Sequence, residues 1–254
     1  DPEFERENFT SIFDHSEFSA AFYPIDFKQT ADGGYLVLAE RNLPESQFSG
    51  IYILKADDRG NFIRELIIED QYVNAVGELV SANGAYYFVS MDASNLQALL
   101  MKVDGDASAV EITPLSGMTY PAAAARDDNG LLLLSYNHVD RASVISGHGL
   151  TGEISRGTKQ FSIGAGDDVA EPIMNHFIRT GKRFPFRVGR VSEGLYYFNG
   201  FENYTFSLVF TDLREDEPLG VVQGQHDDGG FSAVTPLGNN HFAAARFNFG
   251  ENYF

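Results

Sequence analysis

Thr30-Ala-Asp-Gly-Gly-Tyr35-Leu-Val-Leu-Ala39 decides the reading of this chain: a tight turn at two glycines opens a run of strand-forming apolar residues. The arrangement returns at Gly84-Ala-Tyr-Tyr-Phe-Val-Ser90, Gly130-Leu-Leu-Leu-Leu-Ser135, Gly194-Leu-Tyr-Tyr-Phe-Asn199 and Asn240-His-Phe-Ala-Ala-Ala245. Aligned on Gly34, Gly84, Gly130, Gly194 and Asn240, the spacings are 50, 46, 64 and 46 residues. Each anchor is Gly or Asn, the residues that tolerate positive φ in a turn.

Two further landmarks keep the same register. Tyr23-Pro24, Tyr120-Pro121 and Phe184-Pro185 precede their anchors at nearly constant distance, and proline is admitted at strand starts, where a ladder N–H can be spared. After each anchored strand comes another. Ile51-Tyr-Ile-Leu-Lys55-Ala-Asp57-Asp58-Arg-Gly60-Asn61 and Leu99-Leu-Met-Lys102-Val-Asp104-Gly105 end in Asp/Gly hairpin turns, and 144–152 and 206–212 fill the same place. Units of this length with four strands each predict an all-β chain, a β-propeller of four-stranded antiparallel blades.

The expected blades are 22–69, 72–116, 119–164 and 184–226, with a fifth opening at Phe231. Phe247-Asn-Phe-Gly-Glu251-Asn-Tyr-Phe254 mirrors Phe198-Asn-Gly-Phe-Glu202-Asn-Tyr-Thr205, after which blade 4 continues and the fifth does not. About five blades are thus visible, the last incomplete. Asn8-Phe-Thr-Ser-Ile-Phe13 is a candidate closing strand; either the native polypeptide continues or the fifth blade closes with three strands. Asp1-Pro2-Glu3-Phe4 reads as a vector-derived scar, so the expected single domain is 5–254.

Thr30-Ala-Asp-Gly-Gly-Tyr35 followed by Lys55-Ala-Asp57 and Gly60-Asn61 resembles the T-x-D-G-G-Y and K-x-D-x-x-G-N repeats of extracytoplasmic bacterial β-propellers, common in Bacteroidetes-type proteins. It covers the first blade well and the others by pattern. The resemblance implies an architecture and an extracytoplasmic setting, periplasm or cell surface; it is nearly silent about activity.

Composition narrows the function classes. With 36 acidic against 18 basic residues and a formal net charge of -18, the surface opposes a nucleic-acid backbone. No apolar run approaches the length of a membrane span. The absence of cysteine excludes a disulfide framework, a thiolate metal site and a cysteine nucleophile. The histidines lack metal-ligand spacing, no phosphate loop or nucleophile elbow appears, and no cofactor or metal is expected. A sialidase-type Asp-box needs tryptophan, and there is none. Asp32-Gly33-Gly34 has Asn83-Gly84 and Asn129-Gly130 in its place in other blades and reads as a hairpin turn, and Asp57 to Asn61 and Asp104-Gly-Asp106 lack full calcium-loop spacing and read the same way.

Phe177-Ile-Arg-Thr-Gly-Lys-Arg-Phe-Pro-Phe-Arg-Val-Gly-Arg190 carries five basic residues in this acidic chain. Its second part falls on the innermost strand of blade 4, where Arg187 takes the place that Asp26 holds in blade 1. Asp26 and Arg187 are both expected to face the central channel, as a solvated ion pair or as parts of a polar site, with Arg190 beside them. The rest belongs to an inserted loop, 166–183, which explains the long third spacing and contains a stretch able to form a short helix over 170–179, entered near Pro172. It would carry Arg179, Lys182 and Arg183 to the face made by inter-blade loops, where His138, Glu202 and Asp227 also fall. The expected function is a non-catalytic binding or scaffold propeller whose partner is a protein, a polar small molecule or a glycan. The alternatives are a glycan-active enzyme with carboxylates in the channel and a docking module of a larger surface assembly.

Overall fold

In the computed structural model, residues 22–128, 130–164, 167–223, 229–239 and 241–248 are described. The closing-strand candidate 8–13, Asp227 and the 249–254 end of the mirrored segment lie outside them. Blade 1 comprises β1 (Tyr23–Gln29), β2 (Tyr35–Arg41), β3 (Gly50–Ala56) and β4 (Phe62–Ile67). Blade 2 comprises β5 (Tyr72–Ala82), β6 (Ala85–Asp92), β7 (Gln97–Asp104) and β8 (Val110–Thr119). Blade 3 comprises β9 (Pro121–Asp127), β10 (Gly130–Asn137), β11 (Ala142–Gly149) and β12 (Ile154–Ser162). A helix, α1 (Asp167–Phe177), precedes blade 4, made of β13 (Arg187–Ser192), β14 (Leu195–Glu202), β15 (Thr205–Thr211) and β16 (Gly220–Gln223). Two strands follow, β17 (Gly229–Gly238) and β18 (His241–Asn248).

Within each blade the strands pair antiparallel in chain order. The first strands meet in sequence around an axis, β1 against β5, β5 against β9, β9 against β13 and β13 against β17. This is a β-propeller, with its innermost strands lining a channel. Loops between blades lie at one end of the channel, and the hairpins joining first to second strands lie at the other.

The middle strands explain the continuous apolar runs. Alternate residues of a strand face opposite sides, and a blade between two others buries both. Tyr86 and Phe88 of β6 pack with Leu36, Leu38, Ile51 and Ile53 of blade 1. Their neighbours Tyr87 and Val89 pack with Leu131, Leu133 and Val144 of blade 3. Leu132 and Leu134 then turn to Tyr196 and Phe198 of blade 4. Burying each such side chain contributes about 1.5–3 kcal/mol.

The turn sequence has its own chemistry. Lys55 is 1% exposed, and its ammonium donates to Asp32 at 2.8 Å and to the Thr30 hydroxyl. Asp32 also accepts the Gly34 N–H at 3.1 Å. These donors, Lys55 foremost, hold the Asp32 carboxyl far below the usual carboxylate range. Gly33 supplies the positive φ of 87°. Gly34 is required for a different reason: a Cβ there would run into the carbonyl oxygen of Ala56 on the third strand. Gly130 meets the same obstacle at the His148 carbonyl. At these two anchors, close strand approach rather than left-handed backbone demands glycine.

Candidate functional site

The two ends of the channel are built from different residues. At the inter-blade end, α1 places Val169, Ile173 and Phe177 on one face at four-residue spacing, all buried in the cluster that holds Leu43, Phe48, Val73, Tyr120 and Phe184. The helix runs 167–177 rather than the expected 170–179, continuing through Pro172. It stops at Phe177, whose carbonyl accepts the Asn74 side-chain amide at 2.7 Å, while the Arg179 N–H donates to the Gln47 carbonyl at 2.7 Å. The Phe177 ring lies 5.0 Å from Tyr120, centroid to centroid. Residues 176–184 thus reach all four blades: Gln47 on the first, Asn74 on the second, Tyr120 on the third and the Phe184–Phe186–Phe201–Phe206 ring cluster on the fourth.

His176 is part of this seal. Its Nδ1 accepts the Phe184 N–H at 2.8 Å, which leaves the proton on Nε2, and its ring stands edge-on to Phe186 at 4.7 Å. Burial, with Arg183 adding repulsion, brings its pKa down to about 3. The inserted segment is therefore a plug whose apolar side faces the channel mouth.

Its three cations do not join the channel arginines. Arg183 pairs with Glu40 at 3.7 Å, Lys182 lies over the Phe184 ring at 5.9 Å, and the Arg179 backbone is tied to Gln47 of blade 1 with its side-chain Nε buried. His138 stacks edge-on against Tyr120 at 5.4 Å. Glu202 is half-buried in the turn region between β14 and β15, and burial raises its pKa, with Glu217 adding to the effect. These residues share an end of the molecule and do not line the channel cavity that holds Asp26, Arg187 and Arg190.

Asp26, Arg187 and Arg190 line one cavity of about 540 Å³ in the channel. Lys28, Glu78 and Arg126 line it with them, so four cations face two carboxylates in a chain of net charge -18. No ion pair joins Asp26 to Arg187. Asp26 is claimed by its neighbours instead: it accepts the Leu79 and Phe27 N–H groups at 2.8 Å each and lies 3.4 Å from Lys28. Glu78 lies 3.8 Å from the same lysine and accepts the Arg126 N–H at 3.2 Å.

Arg190 braces blade 4 to blade 3 through Asp128 and Asp127, the latter at 3.7 Å, and Arg156 holds the same two aspartates. Arg187 donates only to the carbonyl of its neighbour Phe186, at 3.0 Å. Among the described residues, neither Arg187 nor the guanidinium of Arg126 pairs with a carboxylate. Tyr197 completes the wall. Its ring covers Gly189, where a Cβ would come within 2.8 Å of it, and its hydroxyl donates to the Val234 carbonyl at 3.3 Å. Burial pushes the phenol pKa up, against the pull of Arg187.

No protein-family model matches the chain, and no curated protein is similar to it in sequence. Solved structures align with it at low identity. A protein of unknown function from Bacteroides caccae aligns over 81% of this chain and 69% of its own, with 14% identity and a TM-score of 0.46. A β-xylosidase/α-arabinofuranosidase of glycoside hydrolase family 43 from a compost metagenome aligns over 87% and 84%, at 14% identity and a TM-score of 0.43. The β-propeller domain of the trilobed protease from Pyrococcus furiosus aligns over 89% and 78%, at 10% identity and a TM-score of 0.42.

The cavity contains residues that the sequence pattern does not single out: Lys28, Glu78, Arg126 and Tyr197. It offers fixed charges and an aromatic wall, the ingredients of polar recognition. Among the described residues, no three His, Asp or Glu side chains converge as metal ligands, and no helix is long and apolar enough to cross a membrane.

Proposed function

We propose that the protein is a non-catalytic binding β-propeller, working outside the cytoplasm of a bacterium, that takes a small polar ligand in the channel cavity from the hairpin end. The carrying observation is the contrast within the channel: an apolar plug occupies the inter-blade end, while a charged cavity is formed by the innermost strands. Its volume lies within the range of small-molecule sites. Both of its carboxylates are engaged by N–H groups and Lys28. This reading moves the ligand away from the inserted loop, whose apolar side is spent on packing. The repeat motifs support the extracytoplasmic setting.

Equilibrium binding of a panel of mono- and oligosaccharides and small polar metabolites tests it. Gly189→Val, which drives Tyr197 out of place, should abolish binding, and Arg183→Ala on the plug should not. The opposite pattern would return the ligand to the plug. The glycan-active alternative draws on one observation, the presence of Asp26 and Glu78 about one lysine in the same cavity. Turnover of aryl glycosides that disappears in both Asp26→Asn and Glu78→Gln would establish it in place of the binding reading.

A further inference from the structure

We propose that Arg126 and Arg187 form an oxyanion site in the channel cavity, for a small molecule that carries a carboxylate or phosphate group at one end and hydroxyl groups at the other. This rests on the reading of the cavity as a ligand site and specifies what it recognises. The argument begins with partners. Acidic residues outnumber basic ones two to one in this chain, and the other cations of the cavity have found theirs: Lys28 between Asp26 and Glu78, Arg190 on Asp128 and Asp127. Arg126 and Arg187 have no such partner among the described residues, although they lie on neighbouring innermost strands, β9 and β13, and line one concavity.

A guanidinium presents a planar fork of donors that matches carboxylate and phosphate oxygens. In a concave site with low-dielectric walls its field is focused rather than dispersed. Two such groups, solvent-exposed at the cavity and left without a carboxylate in a protein of net charge -18, mark a place where negative charge is supplied from outside.

The cavity is also asymmetric. The β1 and β5 wall holds Asp26 and Glu78 around Lys28, with Glu78 reaching the Arg126 backbone N–H at 3.2 Å, whereas the β9 and β13 wall holds the two guanidinium groups that pair with no carboxylate among the described residues. An anionic group is repelled by the first wall and attracted by the second. Hydroxyl groups, which can donate to Asp26 and Glu78, suit the first. Tyr197 adds a ring face beside Arg187. Arg126 also borders a second recess of about 370 Å³ at the hairpin end, lined by Ser81, Asn83 and Asp128, which gives the ligand an approach from that side. The chemistry described is that of an acidic sugar, either a uronate or a sugar phosphate.

Calorimetric titration of the whole chain with glucose, glucuronate and glucose 6-phosphate tests the site. At least one of the two acids should saturate, with glucose about tenfold weaker or worse, and Arg126→Gln and Arg187→Gln should each weaken the acid about tenfold, as expected for one charge-assisted hydrogen bond. Which acid binds identifies a carboxylate or a phosphate ligand. Failure of both acids to bind, or unchanged affinity in both variants with their thermal stability intact, overturns the oxyanion site. If glucose binds as tightly as its acids and Gly189→Val abolishes it, the oxyanion site falls and the channel-binding reading survives.

Discussion

The inter-blade end of the channel and the cavity below it differ in what holds them. At the mouth, Val169, Ile173, Phe177, Tyr120 and Phe184 are buried against one another, and polar contacts such as Asn74 to Phe177, Phe184 to His176 and Arg179 to Gln47 serve to end a helix and turn a chain. In the cavity, charged side chains meet backbone N–H groups, carboxylates and open space. An apolar cluster that bridges four blades stabilises the ring without directional demands, which frees the innermost strands to carry groups that contribute little to stability. The mouth is where the scaffold is secured, and the cavity is where recognition is affordable.

That division predicts a graded series of effects. Phe177→Ala, which empties the centre of the plug, should cost about 3–5 kcal/mol, read from the urea midpoint. Lys55→Ala should lower the urea midpoint by less than Phe177→Ala does, by removing the buried donor to the Thr30 hydroxyl. Acid should act on the mouth first. His176 has a folded pKa depressed to about 3, so its contribution is fully present above its unfolded value of about 6.5 and is lost as pH falls below it, approaching about 1.4 kcal/mol per pH unit. Burial lowers the pKa of His148 as well and acts in the same direction. Urea midpoints measured between neutral pH and pH 4 should therefore decline, and His176→Asn should flatten the decline. Arg187→Gln, at the other extreme, should change stability by no more than about 0.5 kcal/mol; a loss as large as that of Phe177→Ala would erase the distinction between the two regions.

The sequence carries the blades because burial on both faces writes continuous apolar runs, and because Gly34 and Gly130 cannot accept a side chain against the third strand. It carries the insertion as an excess in one spacing, and the Val169, Ile173, Phe177 period marks a helix. The partners of that helix are not legible, since Gln47, Asn74 and Tyr120 are distant in sequence and lack any shared pattern. Asp26 and Arg187 are legible from register as channel residues, but the contacts that claim Asp26 are not. Glu78 follows Gly77 where the register of β5 against β6 shifts between Val73, Val76 and Val80, so alternation fails there. Arg126 adjoins a hairpin turn and reads as a turn charge. Tyr197 belongs to a Tyr-Tyr pair repeated in blade 2, and only the bare Gly189 beneath it turns it into a cavity wall.

The reach of the plug also bears on how such a ring can change by duplication. A segment that touches Gln47, Asn74, Tyr120 and Phe201 at once works as a gauge for the angle between successive blades. Inserting a unit between any two of the first four would pull apart contacts that the plug makes to successive blades and open the mouth. A change in repeats past β16, where β17 and β18 stand, would leave these contacts in place.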